Sequence, residues 1–141
     1  MAARKDARTV NFFRIRTALS VHPDYLELAC SGVYSRPESI RVGEVAYREA
    51  ARANRTAVLV DVRDVKGRVP GIFERFEFGV RIAEQYRESE PRIRLAVLGR
   101  EPMIHPDRFG ELVARNRGAD ARVFTDEAVA RDWVQGRARE P

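Results

Sequence analysis

The stretch that decides the fold is residues 56–62, which read Thr-Ala-Val-Leu-Val-Asp-Val. A continuous apolar run of this length is typical of a strand that other elements cover on both faces. Residues 92–98 form a second run of the same kind, through Ile93, Leu95 and Leu98. The two runs predict a pair of central parallel strands in a sheet that has helices packed on its faces.

Three further strands are predicted around this pair. Residues 11–18 and residues 25–31 alternate between the two faces of an extended chain, which indicates strands. Residues 21–24 between them have the composition of a turn, so the two strands should pair antiparallel as a hairpin. Residues 122–124 are predicted to form a short last strand.

Four segments between and after the strands have helical periodicity. They are residues 37–54, 71–88, 106–118 and 125–136, and the first begins with a proline, which is favoured at the first helical position. In the second helix, Phe78 falls among charged residues and is predicted to be exposed. The stripe of that helix predicted to face the core consists of Ile72, Phe76, Gly79, Ala83 and Tyr86.

The predicted element order is β-β-α-β-α-β-α-β-α in a chain of 141 residues, a common size for one domain. This alternation predicts a single α/β domain with a mixed, mostly parallel sheet of about five strands and about four helices. We expect the domain to span residues 11–135. Residues 1–10 and 136–141 are expected to be flexible tails.

The composition indicates a folded protein with a basic surface. Hydrophobic residues make up 44% of the chain and charged residues 33%, which is unlike the composition of disordered proteins. The net charge is +5, and every basic residue except Lys5 and Lys66 is an arginine. The arginines are interleaved with acidic residues along the whole chain, whereas nucleic-acid-binding proteins concentrate them on one face or in one run. We therefore do not expect a nucleic-acid partner.

The chain is expected to be cytoplasmic. Cys30 is the only cysteine, so no disulfide can form within the chain, and this fits a reducing compartment. The first residues are charged and lack the uninterrupted apolar region of a signal peptide. The longest apolar runs are far too short to cross a bilayer, so no membrane span is expected.

No motif for catalysis or metal binding is present. The two histidines, His22 and His105, lie beside prolines and away from the cysteine, so no metal site is expected. Neither a G-x-S-x-G nucleophile elbow nor a glycine-rich phosphate loop occurs. Asp61 lies at the end of its strand as a phosphoacceptor aspartate would, but the acidic pair and the lysine that would support such chemistry are missing. We expect a protein that is not an enzyme and carries no cofactor.

Three stretches of the chain resemble a known family. They are Leu-Val-Asp-Val-Arg at residues 59–63, Leu-Ala-Val-Leu at residues 95–98, and Val-Phe-Thr-Asp-Glu-Ala-Val-Ala-Arg-Asp-Trp-Val at residues 123–134. The pattern resembles the SpoIIAA-like (STAS/SEC14-like) family of small bacterial proteins, which are relatives of the anti-sigma-factor antagonists. The resemblance covers residues 11–135 and implies a STAS-like fold with a non-enzymatic role in regulation or ligand binding.

The chain departs from the resembled proteins where their regulation takes place. Anti-sigma-factor antagonists carry an Asp-Ser-x-Gly motif at the start of the helix after the central strand, and a partner kinase phosphorylates its serine. Here residues 69–72 read Val-Pro-Gly-Ile, and no serine or threonine lies between Arg63 and Ser89. We expect a non-catalytic regulatory or binding module that acts through protein–protein interaction, without the phosphoserine switch. Its partner would be another protein or a second copy in a homodimer, with Phe78 as the candidate interface residue.

The alternative is a binder of a small apolar or anionic ligand, which the SEC14-like side of the resemblance extends to a lipid. Open α/β sheets bind ligands in the crevice outside the carboxyl ends of their strands. Residues 63–71 are predicted to form a loop at that edge and to be its functional part. The candidate binding residues of the crevice are Asp64, Lys66, Arg68, Arg100, Met103, His105 and Thr125.

Overall fold

The protein is built on one six-stranded sheet whose strands lie in the order of the sequence. We describe residues 8–137 from a computed structural model. The strands are β1 (Arg8–Asn11), β2 (Ile15–Val21), β3 (Leu26–Val33), β4 (Ala57–Lys66), β5 (Arg94–Leu98) and β6 (Ala121–Phe124). The helices are α1 (Arg36–Arg52), α2 (Ile72–Glu88), α3 (Phe109–Asn116) and α4 (Glu127–Val134).

The sheet is mixed and mostly parallel, as predicted. β1, β2 and β3 form an antiparallel meander, and β3 to β6 run parallel. β4 and β5 are central, and the antiparallel β2–β3 hairpin is present. The four predicted helices are also found, although α3 begins three residues later than expected. The fold class predicted from the sequence is therefore confirmed.

The strand that the sequence did not predict is β1. Residues 8–10 were expected to belong to the N-terminal tail, but they pair with β2 from Arg8 opposite Leu19 to Asn11 opposite Arg16. This segment, Arg-Thr-Val-Asn, contains a single apolar residue, so no alternation marks it as a strand. Its pairing depends on the free edge of β2. Residues 1–7 and 138–141 of the expected tails lie outside the described residues.

The two faces of the sheet are covered unequally. Successive right-handed crossovers in one direction place their helices on the same face, so α1, α2 and α3 share one side. Val58 and Val60 of β4 enter the larger core beneath these helices. Ala57 and Leu59 of β4 enter a smaller core on the opposite face, where Trp133 of α4 packs. Both faces of the central strand are thus buried, which explains its continuous apolar run.

β4 is longer than predicted and contains an irregularity. The pairing with β3 shifts between Ala29, opposite Asp61, and Ser31, opposite Asp64. One extra residue in β4 reverses the alternation beyond it, so Val65 is buried in the larger core like Val60. The prediction of a loop over residues 63–71 is wrong for its first four residues, because β4 continues to Lys66.

Helices α2 and α3 cross in close contact through two glycines. A Cβ atom added to Gly79 would lie 2.7 Å from the carbonyl oxygen of Gly110 and 2.8 Å from Val113. Only glycine permits this approach. The crossing holds the loop before α3 against the first turns of α2, which positions the site described below.

No helix of residues 8–137 combines the length and the apolar character needed to cross a membrane.

Candidate functional site

A cavity of about 160 Å³ opens at the carboxyl ends of the parallel strands, beneath α1 and α2. Strand side chains form its floor, the two helices form its walls, and the loop of residues 99–108 forms part of its mouth. Its lining is mostly apolar. The apolar side chains of the lining are Ile15, Val42, Val60, Val62, Val65, Phe78, Leu95, Val97, Ile104 and Val123.

The cavity leaves two valines of the central strands incompletely covered. Val62 of β4 and Val97 of β5 face the same helices as Val58, yet both are only half-buried, whereas Val58 is fully buried. Empty space over a central strand means that the helices do not fill the volume above it. The volume is close to the roughly 150 Å³ of an engineered apolar cavity that takes up benzene.

The floor of the cavity includes the only thiol of the chain. Cys30 lies on β3 and is 4% exposed. Burial, and to a lesser extent the negative charge of Asp61, raises the pKa of the Cys30 thiol to about 12. The thiol is therefore neutral at physiological pH and behaves as a small apolar group rather than as a nucleophile.

One wall of the mouth is built around the carboxylate of Glu74, in the first turn of α2. Arg68 donates to both of its oxygens, at 3.0 and 2.9 Å, and the Tyr34 hydroxyl donates at 3.1 Å. The Gly71 N–H donates at 3.1 Å and caps the helix. These bonds, that from Arg68 above all, lower the pKa of Glu74 to about 2. Burial and the charge of Glu74 raise the pKa of Tyr34 to about 12.

A second wall of the mouth is built around Arg75, whose guanidinium donates only to backbone carbonyls. Its Nε donates to Pro70 at 3.2 Å, Nη1 to Met103 at 2.9 Å and Nη2 to Pro102 at 3.0 Å. These bonds join α2 to the loop before α3. Burial lowers the pKa of Arg75. Because a guanidinium has five N–H groups, two of them have no hydrogen-bond partner among residues 8–137.

The loop before α3 places another arginine in the lining. Arg108 has φ 52° and ψ 48°, the left-handed conformation that few residues other than glycine adopt. Its guanidinium makes no hydrogen bond or ion pair with any of residues 8–137. His105 also lines the cavity, and its Nδ1 accepts a hydrogen bond of 3.0 Å from the Asp107 N–H.

Three of the residues predicted to bind lie at this site. Met103 and His105 are part of the lining. Arg68 is at the rim through its two bonds to Glu74, and its guanidinium carbon lies 5.2 Å from the centroid of the Tyr34 ring.

The other four predicted binding residues do not line the cavity. Because Val65 points into it, the alternation of β4 directs the exposed Asp64 and Lys66 to the opposite face. Arg100 donates to the carbonyl of Arg63 at 3.2 Å. Thr125 is exposed between β6 and α4.

Sequence reasoning missed Tyr34, Arg75 and Arg108, which supply much of the polar rim. Tyr34 follows a strand and Arg108 precedes a helix, so each position was consistent with an ordinary loop residue. Arg75 was assigned to no face of α2. Nothing in residue type or spacing marked these three, because their proximity depends on how α2 and the loop before α3 pack.

The prediction that Phe78 is exposed is wrong. Phe78 is half-buried against the larger core and lines the cavity. The most exposed aromatic residue of α2 is Phe73, at 85%, and Ile72 beside it is 48% exposed. Gly79 and Ala83 of the predicted stripe are buried. The helix is nevertheless rotated relative to that stripe, because Phe78 faces inward and Ile72 and Phe76 lie toward solvent. The interface role proposed for Phe78 loses its basis.

A second group of polar residues, on the other side of the sheet, has the residue types of a hydrolase triad but not its geometry. His22 Nε2 lies 3.0 Å from Glu27 and 3.4 Å from the Ser20 hydroxyl. A triad uses the two ring nitrogens for different partners. Here one nitrogen meets both, so the histidine cannot relay a proton from Ser20 to Glu27. Glu27 is instead held by Arg131 of α4 at 2.8 Å.

Within residues 8–137, no three of His, Cys, Asp and Glu are grouped to hold a metal ion.

The fold is similar to that of solved bacterial proteins. A crystal structure of an anti-sigma factor antagonist from Mycobacterium paratuberculosis matches with a TM-score of 0.56 at 15% identity, covering 86% of this chain and 94% of that chain. A crystal structure of an uncharacterized DUF3478-family protein with a SpoIIAA-like fold, from Shewanella loihica, matches with a TM-score of 0.48 at 17% identity, covering 90% of this chain and 98% of that chain. No family model and no curated protein matches the sequence. The chain therefore has the same fold as that anti-sigma factor antagonist, which agrees with the fold that the sequence resemblance implied.

Proposed function

We propose that this chain is a non-catalytic binding module that takes a small, mainly apolar ligand into the cavity beneath α1 and α2. The observation that carries the proposal is the half-buried state of Val62 and Val97 in the centre of an otherwise well-packed sheet. Unfilled space in a core has a cost, because the side chains around it lose packing contacts. A cavity open at the carboxyl ends of parallel strands is also where open α/β sheets hold their ligands.

The chemistry of the cavity supports binding rather than catalysis. Its thiol, Cys30, is neutral, and its carboxylate, Glu74, is held by Arg68 and Tyr34. A general base needs a pKa near the working pH, and the pKa of Glu74 lies far below it.

The test is a cavity-filling substitution followed by ligand titration. Val97→Phe places a larger side chain in the space, while Val129→Phe adds the same bulk at a position of α4 that is 51% exposed. Titration of small apolar compounds such as phenol is followed by amide chemical shifts in NMR spectra. We expect shifts around the cavity in the wild type and in Val129→Phe, and none in Val97→Phe. Equal responses of all three proteins would refute the cavity as the site.

A second candidate function is docking of a protein partner at the first turn of α2. Phe73 is 85% exposed, and Ile72 and Val69 beside it are 48% and 42% exposed. A large exposed aromatic next to aliphatic neighbours is the composition of an interaction hot spot. This segment, residues 69–73, occupies the place where the resembled antagonists carry their switch serine. The proposed partner is a protein with an apolar groove, and no phosphorylation is involved.

Phe73→Ser tests this second candidate, with Phe13→Ser as its control, because Phe13 is equally exposed, at 91%, outside the α2 segment. A partner identified by native mass spectrometry of protein from its own host is purified and titrated against each variant. Loss of affinity in Phe73→Ser alone supports docking at α2. Unchanged affinity in Phe73→Ser excludes that surface. Sedimentation velocity on the same variants shows whether the partner is a second copy.

A further inference from the structure

The cavity is apolar at its floor and positively charged at its mouth. The floor is made of valine and leucine side chains and of Cys30, whose thiol is neutral. A ligand group that reaches the floor finds no partner for a hydrogen bond of ordinary strength, so a polar group buried there would lose its water without compensation. The inner part of the ligand must therefore be hydrocarbon. The volume of about 160 Å³ suits a body of about six carbon atoms.

The mouth carries two arginines that form no ion pair with any carboxylate of the described residues. Arg75 donates to three carbonyls and keeps two N–H groups. Arg108 lines the cavity without a side-chain partner among residues 8–137. The one carboxylate of the lining, Glu74, pairs with Arg68. Three arginines, Arg68, Arg75 and Arg108, therefore stand against one carboxylate, and the mouth keeps a net positive charge.

We propose that the cavity binds a small apolar monocarboxylate, with its hydrocarbon body on the floor and its carboxylate at the mouth between Arg75 and Arg108. The inference rests on the proposed function, since it names the ligand class of the same cavity. Guanidinium groups are the usual partners of carboxylates because their paired N–H groups match the two carboxylate oxygens. Placing the carboxylate at the mouth keeps it partly hydrated, which avoids the cost of burying a charge.

The experiment compares two acids with alcohols of the same shape. Hexanoate and phenylacetate are titrated at pH 7 against 1-hexanol and 2-phenylethanol, and binding is followed by amide chemical shifts. Hydrogen bonds to charged groups are worth more than neutral ones, so each acid is expected to bind about tenfold more tightly than its alcohol. Palmitate is a fifth arm, which separates a small free acid from a lipid chain. The cavity volume predicts that palmitate binds no more tightly than hexanoate.

The matched variants are Arg108→Asn and Arg100→Asn. Asparagine tolerates the left-handed conformation of Arg108, so this change removes the charge with little effect on the backbone. Arg100 is an exposed arginine of the same loop that is turned toward Arg63 instead of the cavity. We expect Arg108→Asn to weaken acid binding about tenfold and to leave alcohol binding unchanged. Arg100→Asn should change neither.

The outcomes separate the inference from the function on which it rests. Equal binding of acids and alcohols, or an Arg108→Asn variant that binds acids like the wild type, overturns the carboxylate inference while the cavity remains a binding site. If palmitate binds more tightly than hexanoate, the predicted size of the ligand is wrong, and the ligand of the cavity is a lipid chain. If the wild type binds none of the five compounds, both the inference and the proposed function are refuted.

Discussion

The close crossing of α2 and α3 makes Gly79 the most sensitive small residue of the fold. A methyl group in Gly79→Ala would lie 2.7 Å from the Gly110 carbonyl oxygen and 2.8 Å from the Cβ and Cγ1 atoms of Val113. The obstacle is partly backbone, so the two helices have to separate. Overpacking of this kind costs about 1–3 kcal/mol. Alanine regains up to about 1 kcal/mol through its helix propensity, so we expect a net loss of about 1–2 kcal/mol.

Gly110→Ala is the matched control, because this glycine faces the same crossing from the other helix. The nearest atom to its added methyl group would be the Arg75 carbonyl oxygen at 3.5 Å, an ordinary contact. Only the helix propensity then remains, and the variant should gain about 0.5–1 kcal/mol. The two substitutions are chemically identical and lie in contact, yet they should differ by about 2 kcal/mol in unfolding free energy.

Thermal and urea unfolding followed by far-UV circular dichroism measure the difference. For a domain of this size, 1 kcal/mol corresponds to about 3–5 °C, so the two Tm values should lie about 6–10 °C apart. The m values should stay equal, because neither change alters the surface exposed on unfolding. A Gly79→Ala variant as stable as Gly110→Ala would show that the helices are not in the close contact described, and the shape of the cavity beside them would have to be reconsidered.

Three further predictions concern individual side chains. The pKa of Glu74 is lowered to about 2, below its unfolded value, so its bonds stabilise the fold fully above about pH 4.5, and this contribution declines as the pH falls toward 2. Glu74→Gln should therefore lower Tm more at pH 6 than at pH 2.5, and equal losses at both would contradict this. With a pKa of about 12, Cys30 should react with iodoacetamide at pH 8 at least about a thousandfold more slowly than in the unfolded chain, and mass spectrometry showing similar rates would refute its burial. Arg131→Gln, which removes the bonds of α4 to β3, should lower the unfolding free energy by about 1–2 kcal/mol, whereas the exposed Arg115→Gln should change it by less than about 0.5 kcal/mol; similar losses in both would show that Arg131 is only a surface pair.

The rotation of α2 shows that the periodicity of apolar residues was not enough to predict which face of this helix is buried. Phe73, Phe76 and Phe78 point in different directions around the helix, so the aromatic residues alone do not define one buried face. Gly79 was correctly placed on the buried face, but Phe78 also turns inward, because it packs against the larger core and lines the cavity. The residues that Phe78 meets there belong to other elements, so the periodicity of α2 did not reveal this contact.

The end of β4 shows a related limit. Residues 63–66 read Arg-Asp-Val-Lys, a charged composition that favours a loop. In the structure they continue to pair with β3, and the extra residue in β4 directs Val65 into the larger core. Backbone pairing with β3 outweighed composition here, because it gives the backbone N–H and C=O groups of these residues hydrogen-bond partners. Two of the seven predicted binding residues, Asp64 and Lys66, lie on the opposite face as a result.

The class of fold could be read from the sequence alone. The spacing and the number of apolar residues in a segment depend on whether other elements cover that segment on one face or on two. The runs at residues 56–62 and 92–98 required central strands, and the segments between them required helices, whatever the detailed packing. The site was decided only by the tertiary structure. Arg75 and Arg108 are 33 positions apart and meet at one cavity because two glycines let α2 and α3 touch, while a shifted register in β4 turns Val65 toward them. The helix crossing and the shifted register depend on contacts between elements that are distant in sequence. The cavity above the strands cannot be predicted from the order of residues.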